Sequence, residues 1–430
     1  MKTRYLTAAM MVLSALYTSA CHRVPVPQEV ERPEKIVSLR EVMYDSATYA
    51  NLAHLWEKYY NAYPSEDAYA NWVYAARYAD FENYEAMLNK GVEKYPANPV
   101  LLYLAGMSKK GSPHNLEARQ LMERAVALDP GYIDPWFGLA VEYILEGDRE
   151  NTDVALRHLL NGGAVQDVIM DLSYNMLASL EPNAILVTNG DNDTYPGWIL
   201  TRIVRFRPDV NIVNRSLLNV DSYVSSIVKE GVPEFITRSG IDSLNAQVAE
   251  DKANYKSGQL PPGEFAGVGD RLVVRIVNAG ERVGRPVYFA CTLGSSRLWK
   301  QIVSRARPLG LVSLVTRSTT PYPVQIHNLF TIWTTKYRVG GLDSWQLHSS
   351  ARKSAGRILT RNYAAALHSL KTEIAGAGPD VQLSLFRWYR DHIVDLLDQN
   401  TADDANRTWL NPGSPKEIKE WSRSKGLPGD

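Results

Sequence analysis

Helical repeats followed by a doubly wound, Rossmann-like parallel α/β sheet and C-terminal helices are the fold class this sequence predicts. Three observations predict it. From residue 46 to 163 the apolar pattern is helical, and the step from Pro96 to Pro130 is 34 residues, the tetratricopeptide period. From Ala184 to Asp221 a short apolar run, a helical run and a second apolar run are joined by short links, the order of a right-handed parallel crossover. Both apolar runs end in polar bursts, Asn189 to Thr194 and Asn214 to Asp221. In open parallel sheets ligands gather at the carboxyl ends of the strands, where those bursts fall.

Residues 1–21 read as a targeting segment. Lys2 and Arg4 supply positive charge, Leu6 to Leu16 an apolar core too short to span a bilayer, and Thr18-Ser19-Ala20 small residues before Cys21. Such a site resembles a bacterial lipoprotein signal, with Cys21 acylated (a palmitate-type modification) and the protein anchored in the cell envelope, on the outer membrane. Ordinary secretion with a free Cys21 is the alternative, because Thr18 stands where Leu is usual. With only Cys21 and Cys291 in the chain, lipidation of the first leaves the second without a disulfide partner. Cys291, inside an apolar run, reads as a buried inert thiol.

Composition excludes one class of partner. The 47 basic residues, less Lys2 and Arg4, leave 45 against 47 acidic ones, so no basic excess points to nucleic acid. Residues 22–40, rich in Pro, Glu and Arg, read as a tether.

Residues 41–180 read as the repeat region. Tyr95-Pro96-Ala97-Asn98-Pro99 and Leu128-Asp129-Pro130-Gly131-Tyr132 mark helix ends. Gly106, Ala118 and Ala125 fall where paired helices need small residues, and Trp136, Leu139, Ala140 and Tyr143 at first-helix positions of the next repeat. The repeat ending at Pro96 is looser, with Trp72 and Tyr84 in place of smaller residues, and a leading helix covers 49–62. Such arrays leave a concave face for an extended partner, here an envelope protein. The alternative is that the helices only buttress the α/β domain.

Residues 181–345 read as the α/β domain. Its strands are expected at 184–187, 210–213, 286–291 and 309–315, with helices at 198–206, 223–229 and 270–279. Residues 231–269 read as a long irregular connection. Beyond it, 346–430 read as C-terminal helices, 351–375 and 381–397, and a polar tail from Thr401.

Candidate ligand-binding residues are those at strand ends: Asn189, Asp191, Asp193, Asn214, Asn219 and Asp221. Asp191 and Asp193 could hold a divalent cation that bridges a diphosphate, since hard oxygens suit such ions. Equally, Asp193 or Thr194 could cap the next helix, with Pro196 near its start. A helical calcium loop is excluded, because Pro196 and Arg202 stand where Gly and Glu are required. Ser295, Ser296 and Arg297, at a helix start after the third strand, suit an anion or a plain Ser N-cap. No dinucleotide-binding, phosphate-loop, nucleophile-elbow or paired-histidine motif occurs, so no cofactor beyond a divalent cation is expected.

The stretches Asn175 to Pro196, Arg207 to Asn219 and Arg285 to Ala290 together resemble a bacterial membrane family described as protein O-mannosyltransferase-like. The similarity runs over roughly 170–345 and concerns only the part of those proteins outside the membrane. It implies the α/β fold and an envelope setting, and carries no activity, because the membrane portion has no counterpart here. The expected function is therefore that of a lipid-anchored binding or scaffold protein for a glycan- or secretion-related assembly. The alternative is a sugar- or phosphate-acting enzyme that uses Asp191 and Asp193.

Overall fold

A computed structural model describes residues 29–36, 38, 44–110, 115–261, 264–349, 354–398, 420 and 423. Cys21 and most of the tail from Thr401 lie outside the described residues. The chain divides into two units, one of residues 1–36 and 46–87 and one of residues 37–45 and 88–430.

In the first unit α1 (Ser46–Ala62) and α2 (Glu66–Tyr78) form a hairpin. Ser65 caps α2 by accepting the Ala68 N–H, and Glu66 and Asp67 oppose the positive helix end. The 29–36 segment, expected as free tether, is held on this hairpin. Arg32 pairs with Asp67 at 2.6 Å, the Trp56 indole donates to the Glu34 carbonyl at 3.1 Å, and the Ile36 N–H donates to Asn71 at 3.2 Å. Trp72 stands edge-on to Tyr69.

After α3 (Tyr84–Lys94) come two further hairpins, α4 (Pro99–Ser108) with α5 (Asn115–Leu128) and α6 (Asp134–Glu146) with α7 (Arg149–Asn161). Asn98 caps α4 and Pro99 opens it, as the Asn-Pro spelling requires. Gly106 lets α4 and α5 touch: a Cβ there would lie 2.9 Å from Met122 Cγ and 3.0 Å from the Ala118 carbonyl oxygen. Ala118 and Ala125 are fully buried. Trp136 is only half-buried, stacked on His158 at 3.9 Å.

Next, α8 (Asp167–Ala178) leads into β1 (Ile185–Thr188), α9 (Asp191–Trp198), a π turn at Ile199–Ile203 and β2 (Asn211–Asn214). A 3-10 turn, Leu217–Asn219, precedes α10 (Asp221–Lys229), α11 (Arg238–Lys256), α12 (Val268–Arg282) and β3 (Val287–Ala290). After the 3-10 turn Arg297–Trp299 come α13 (Lys300–Val303), β4 (Arg307–Leu309), β5 (Val312–Leu314) and α14 (Tyr322–Thr335). The chain continues through α15 (Trp345–Ser349), α16 (Ala355–Leu359), α17 (Arg361–Ser369), α18 (Lys371–Gly376) and α19 (Pro379–His392). The structure is thus mostly helical, with a small mixed sheet of five strands in the order β2-β1-β3-β5-β4. Strands β2, β1 and β3 are parallel, with Ile185 opposite both Asn211 and Val287. All four residues of β1 are buried, as a central parallel strand requires.

Three expectations need correction. The run 309–315 is not one parallel strand: Gly310, at φ 72°, turns the chain, so β4 and β5 form an antiparallel hairpin and the sheet is not wholly parallel. Residues 231–269 are not irregular throughout, since α11 occupies nineteen of them, capped by Thr237 and seated on Ile241, Leu244 and Val248. The first C-terminal helix is broken into α16, α17 and α18, while α19 buries Leu385, Phe386, Trp388 and Tyr389 as its aromatic spacing predicted. Among the described residues no helix is long and apolar enough to cross a membrane.

Candidate functional site

The strand-end burst folds into a helix about two turns before the expected start at residue 198. Asp191 opens α9, and Asp193 sits in the first turn, 2% exposed. The Asp193 carboxylate accepts the Asn189 N–H at 2.8 Å, the Gly190 N–H at 2.9 Å and the Thr292 hydroxyl. It therefore ties the end of β1 to the end of β3. Burial pushes its pKa up even though these three donors favour the ionised form. Asp191, two residues away, is exposed and on another face of the helix. The two carboxylates do not converge on one point. Beside Asp191, a cleft lined by Phe137, Gln166, Ile169, Asn192 and Pro196 encloses about 10 Å³, room for a single water.

Asn214, at the end of β2, is buried and used on both sides. Its Nδ2 donates to Thr194 at 2.9 Å, its Oδ1 accepts the Leu217 N–H at 2.9 Å, and its own N–H donates to the Tyr223 hydroxyl at 2.9 Å. Thr194 in turn shares a 2.7 Å hydrogen bond with Thr188. Ser216 donates to the Asn189 carbonyl at 3.2 Å, closing the link between the two bursts. So Asn189, Asp193 and Asn214 are brought together, with Thr188 and Thr292 as partners that sequence reasoning missed and Thr194, expected as a possible helix cap, bonded to Thr188 and Asn214. Their signal was a hydroxyl at each strand end, too common to single out.

The remaining candidates separate. Asn219 accepts the Gly269 N–H at 3.0 Å, and Gly269 is required there because a Cβ would lie 2.5 Å from the Arg215 carbonyl oxygen. Asp221 accepts Asn245 Nδ2 at 3.1 and 3.2 Å. Arg297 pairs with Glu264 at 3.2 Å on the surface, Ser295 is exposed, and the Ser296 hydroxyl caps nothing. The helix behind them, α13, has four residues, too few to focus a dipole on an anion. The cation of this region is instead Arg215, paired with Asp270 at 2.6 Å and lying 4.9 Å over the Trp299 ring. Among the described residues no group of three His, Cys, Asp or Glu side chains is placed to hold a metal.

The other end of the sheet explains the rest of the motif residues. Arg207, at φ 54°, donates to the carbonyls of Leu177, Leu180 and Glu181 and pairs with Asp209 at 2.8 Å. Asp209 accepts the Asn183 N–H at 2.8 Å, and the Arg207 guanidinium beside it lowers its carboxyl to about 2. Arg285 reaches the Asn183 and Gly231 carbonyls and the Asn211 side chain. The Glu-Pro-Asn, Arg-Pro-Asp and Arg-Pro-Val spellings thus clamp the amino ends of β1, β2 and β3.

Fold and site define a mostly helical protein whose small mixed sheet is braced at both ends by its own polar side chains. Residues 169–233 of it match a family model described as TMEM260-associated domain 2, which fits an O-mannosyltransferase-like family at the coarse level. No curated protein matches the chain.

Proposed function

We propose that this protein binds or scaffolds partners in the cell envelope, held to the membrane by a lipid on Cys21, on the outer membrane. Its helical repeats receive an envelope protein, and the assembly served is glycan- or secretion-related. Within the sheet, β2, β1 and β3 with their crossover make a Rossmann-like core to which the β4–β5 hairpin is an edge addition. The region from about 170 to 345 corresponds to the extramembrane part of the O-mannosyltransferase-like family. The observation that supports a binder over an enzyme is the use of the strand-end groups. Asp193 and Asn214 are spent on backbone N–H groups and hydroxyls of the protein itself.

Fractionation tests the anchor. Cys21→Ser moves the protein from the membrane pellet to the soluble envelope fraction, because acyl chains supply most of such a protein's membrane affinity. A mutant that stays in the pellet after a high-salt wash rejects the lipid. A second measurement addresses the enzyme reading: magnesium, calcium or manganese leaves the melting temperature unchanged. A metal-dependent rise that vanishes in the Asp191→Asn, Asp193→Asn double mutant would instead put the enzyme ahead.

A further inference from the structure

A segment that forms neither helix nor strand is seated on the α1–α2 hairpin, and its contacts show what that hairpin recognises. Among the described residues, 29–36 make no backbone–backbone hydrogen bond. Side chains of the hairpin read them instead. The Trp56 indole donates to the Glu34 carbonyl at 3.1 Å, and Asn71 Oδ1 accepts the Ile36 N–H at 3.2 Å. Arg32 pairs with Asp67 at 2.6 Å and stands 5.9 Å over the Trp56 ring. Within the other unit, Ser38 donates to Asp134 at 2.7 Å.

The reading groups are oriented by the hairpin itself. Asp67 and Asn71 stand four residues apart on one face of α2. Asn71 Nδ2 donates to the Asp67 carbonyl at 2.8 Å and to Asp67 Oδ1 at 3.3 Å, which fixes the amide and leaves Oδ1 for an incoming N–H. Trp56 and Asn71 are buried, whereas the side chains of Glu29, Glu31, Arg32, Glu34 and Lys35 are exposed. The hairpin thus reads main chain at residues 34 and 36, and a single cation at residue 32 sets the register. The identities of Glu34 and Lys35 are not read. Hydrogen bonds of this kind and a surface ion pair each contribute little net stability, so the segment is held loosely enough to exchange.

We infer that this face of the α1–α2 hairpin is an acceptor for a peptide segment of a partner protein, with residues 29–36 holding the place in cis until that segment displaces them. The conclusion rests on the reading that the repeats receive an envelope protein. The incoming segment carries an arginine two residues before the carbonyl given to Trp56 and four before the N–H given to Asn71, the pattern of Arg32, Glu34 and Ile36. An occupant tethered in the same chain has an effective concentration on the order of millimolar. A free segment with the same contacts therefore loses to it, and the partner must add contacts elsewhere.

The experiment has two arms, both in the full chain. Tryptic cleavage after Lys35, followed by mass spectrometry, reports whether the segment is seated. Asp67→Arg repels Arg32 without altering the cleaved sequence, so cleavage should rise at least about fivefold, and Arg32→Glu with Asp67→Arg should restore protection. A merely structural role for Asp67 would not be rescued by the charge swap. Cleavage of the wild-type chain as fast as that of Asp67→Arg overturns the inference. In the second arm, a fluorescent peptide with the sequence of residues 29–38 is titrated by anisotropy. It should bind the Arg32→Glu chain, whose own segment is repelled by an intact Asp67, at least about fivefold more tightly than wild type. Equal affinities overturn the acceptor. Peptide binding to a chain that captures no envelope protein would count for the acceptor and against the reading it rests on. Wild-type dimers that dissociate in Asp67→Arg would make the occupant a second copy's segment and overturn the partner protein.

Discussion

Asp193 carries the largest local consequence of any residue in the candidate site. Its carboxylate satisfies two backbone N–H groups and a hydroxyl in a place with almost no water. Asp193→Ala leaves those three donors unpaired at about 1–3 kcal/mol each, so urea unfolding should show a loss of about 3 kcal/mol or more. Asp193→Asn keeps one acceptor and removes a buried charge, so it should cost less than half as much. The sign with pH follows from the direction of the shift. Burial raises Asp193, Asp171 and Glu142 above the ordinary carboxylate range, so the ionised forms are penalised in the folded state. Stability therefore rises as pH falls from neutral through their folded pKa values. Asp209 and Asp148 act in the opposite sense, since their lowered pKa values give stability that is lost as pH falls below the ordinary range of about 4. Urea midpoints should peak in mild acid, and Asp193→Asn should flatten the rise between neutral pH and that peak. A midpoint that falls steadily from pH 7 to 5 would contradict this.

At the scale of elements, the contacts between paired helices are set by small residues and the sheet by charged clamps. Gly106→Ala gains about 1 kcal/mol of helix propensity but pushes a Cβ into Met122 and the Ala118 carbonyl. Overpacking of that kind costs about 1–3 kcal/mol, so the net effect is destabilising, and a thermal melt with an unchanged or raised midpoint would refute the close approach. Trp136→Ala should cost about 2–4 kcal/mol, toward the lower side for a tryptophan, because the ring is half-buried and stacked on His158. Arg207→Lys tests the clamp. A lysine cannot reach three carbonyls and a carboxylate from one planar fork, so the variant should be less stable by about 1–3 kcal/mol, and the Asp209 carboxyl should titrate closer to its ordinary range. An NMR titration that finds Asp209 still near 2 would show that Arg207 is not its partner.

For the whole molecule, helix hairpins, an inner parallel strand pair and most chain punctuation were legible in the sequence, because each depends on local chemistry. Proline and asparagine spell a helix start wherever they occur, and apolar runs of four residues between polar bursts can be buried in few ways. The sequence alone thus determined the helices between Ser46 and Asn161, the β1–β2 crossover, the α12 face of Leu272, Val273, Ile276 and Val277, and the gathering of Asn189, Asp193 and Asn214. It did not determine what those three residues do, because a carboxylate that binds a cation and one that binds its own backbone are written with the same letter. Only tertiary structure decided that. It brought Thr292 from ninety-nine residues away to Asp193, turned 307–314 into a hairpin at Gly310, and sent Asn219 and Asp221 to Gly269 and Asn245. It also laid residues 337–341 on α8, at separations of 158 to 170 residues. Those outcomes rest on which distant segments compete for the same donors and acceptors, and no window of neighbouring residues contains that competition.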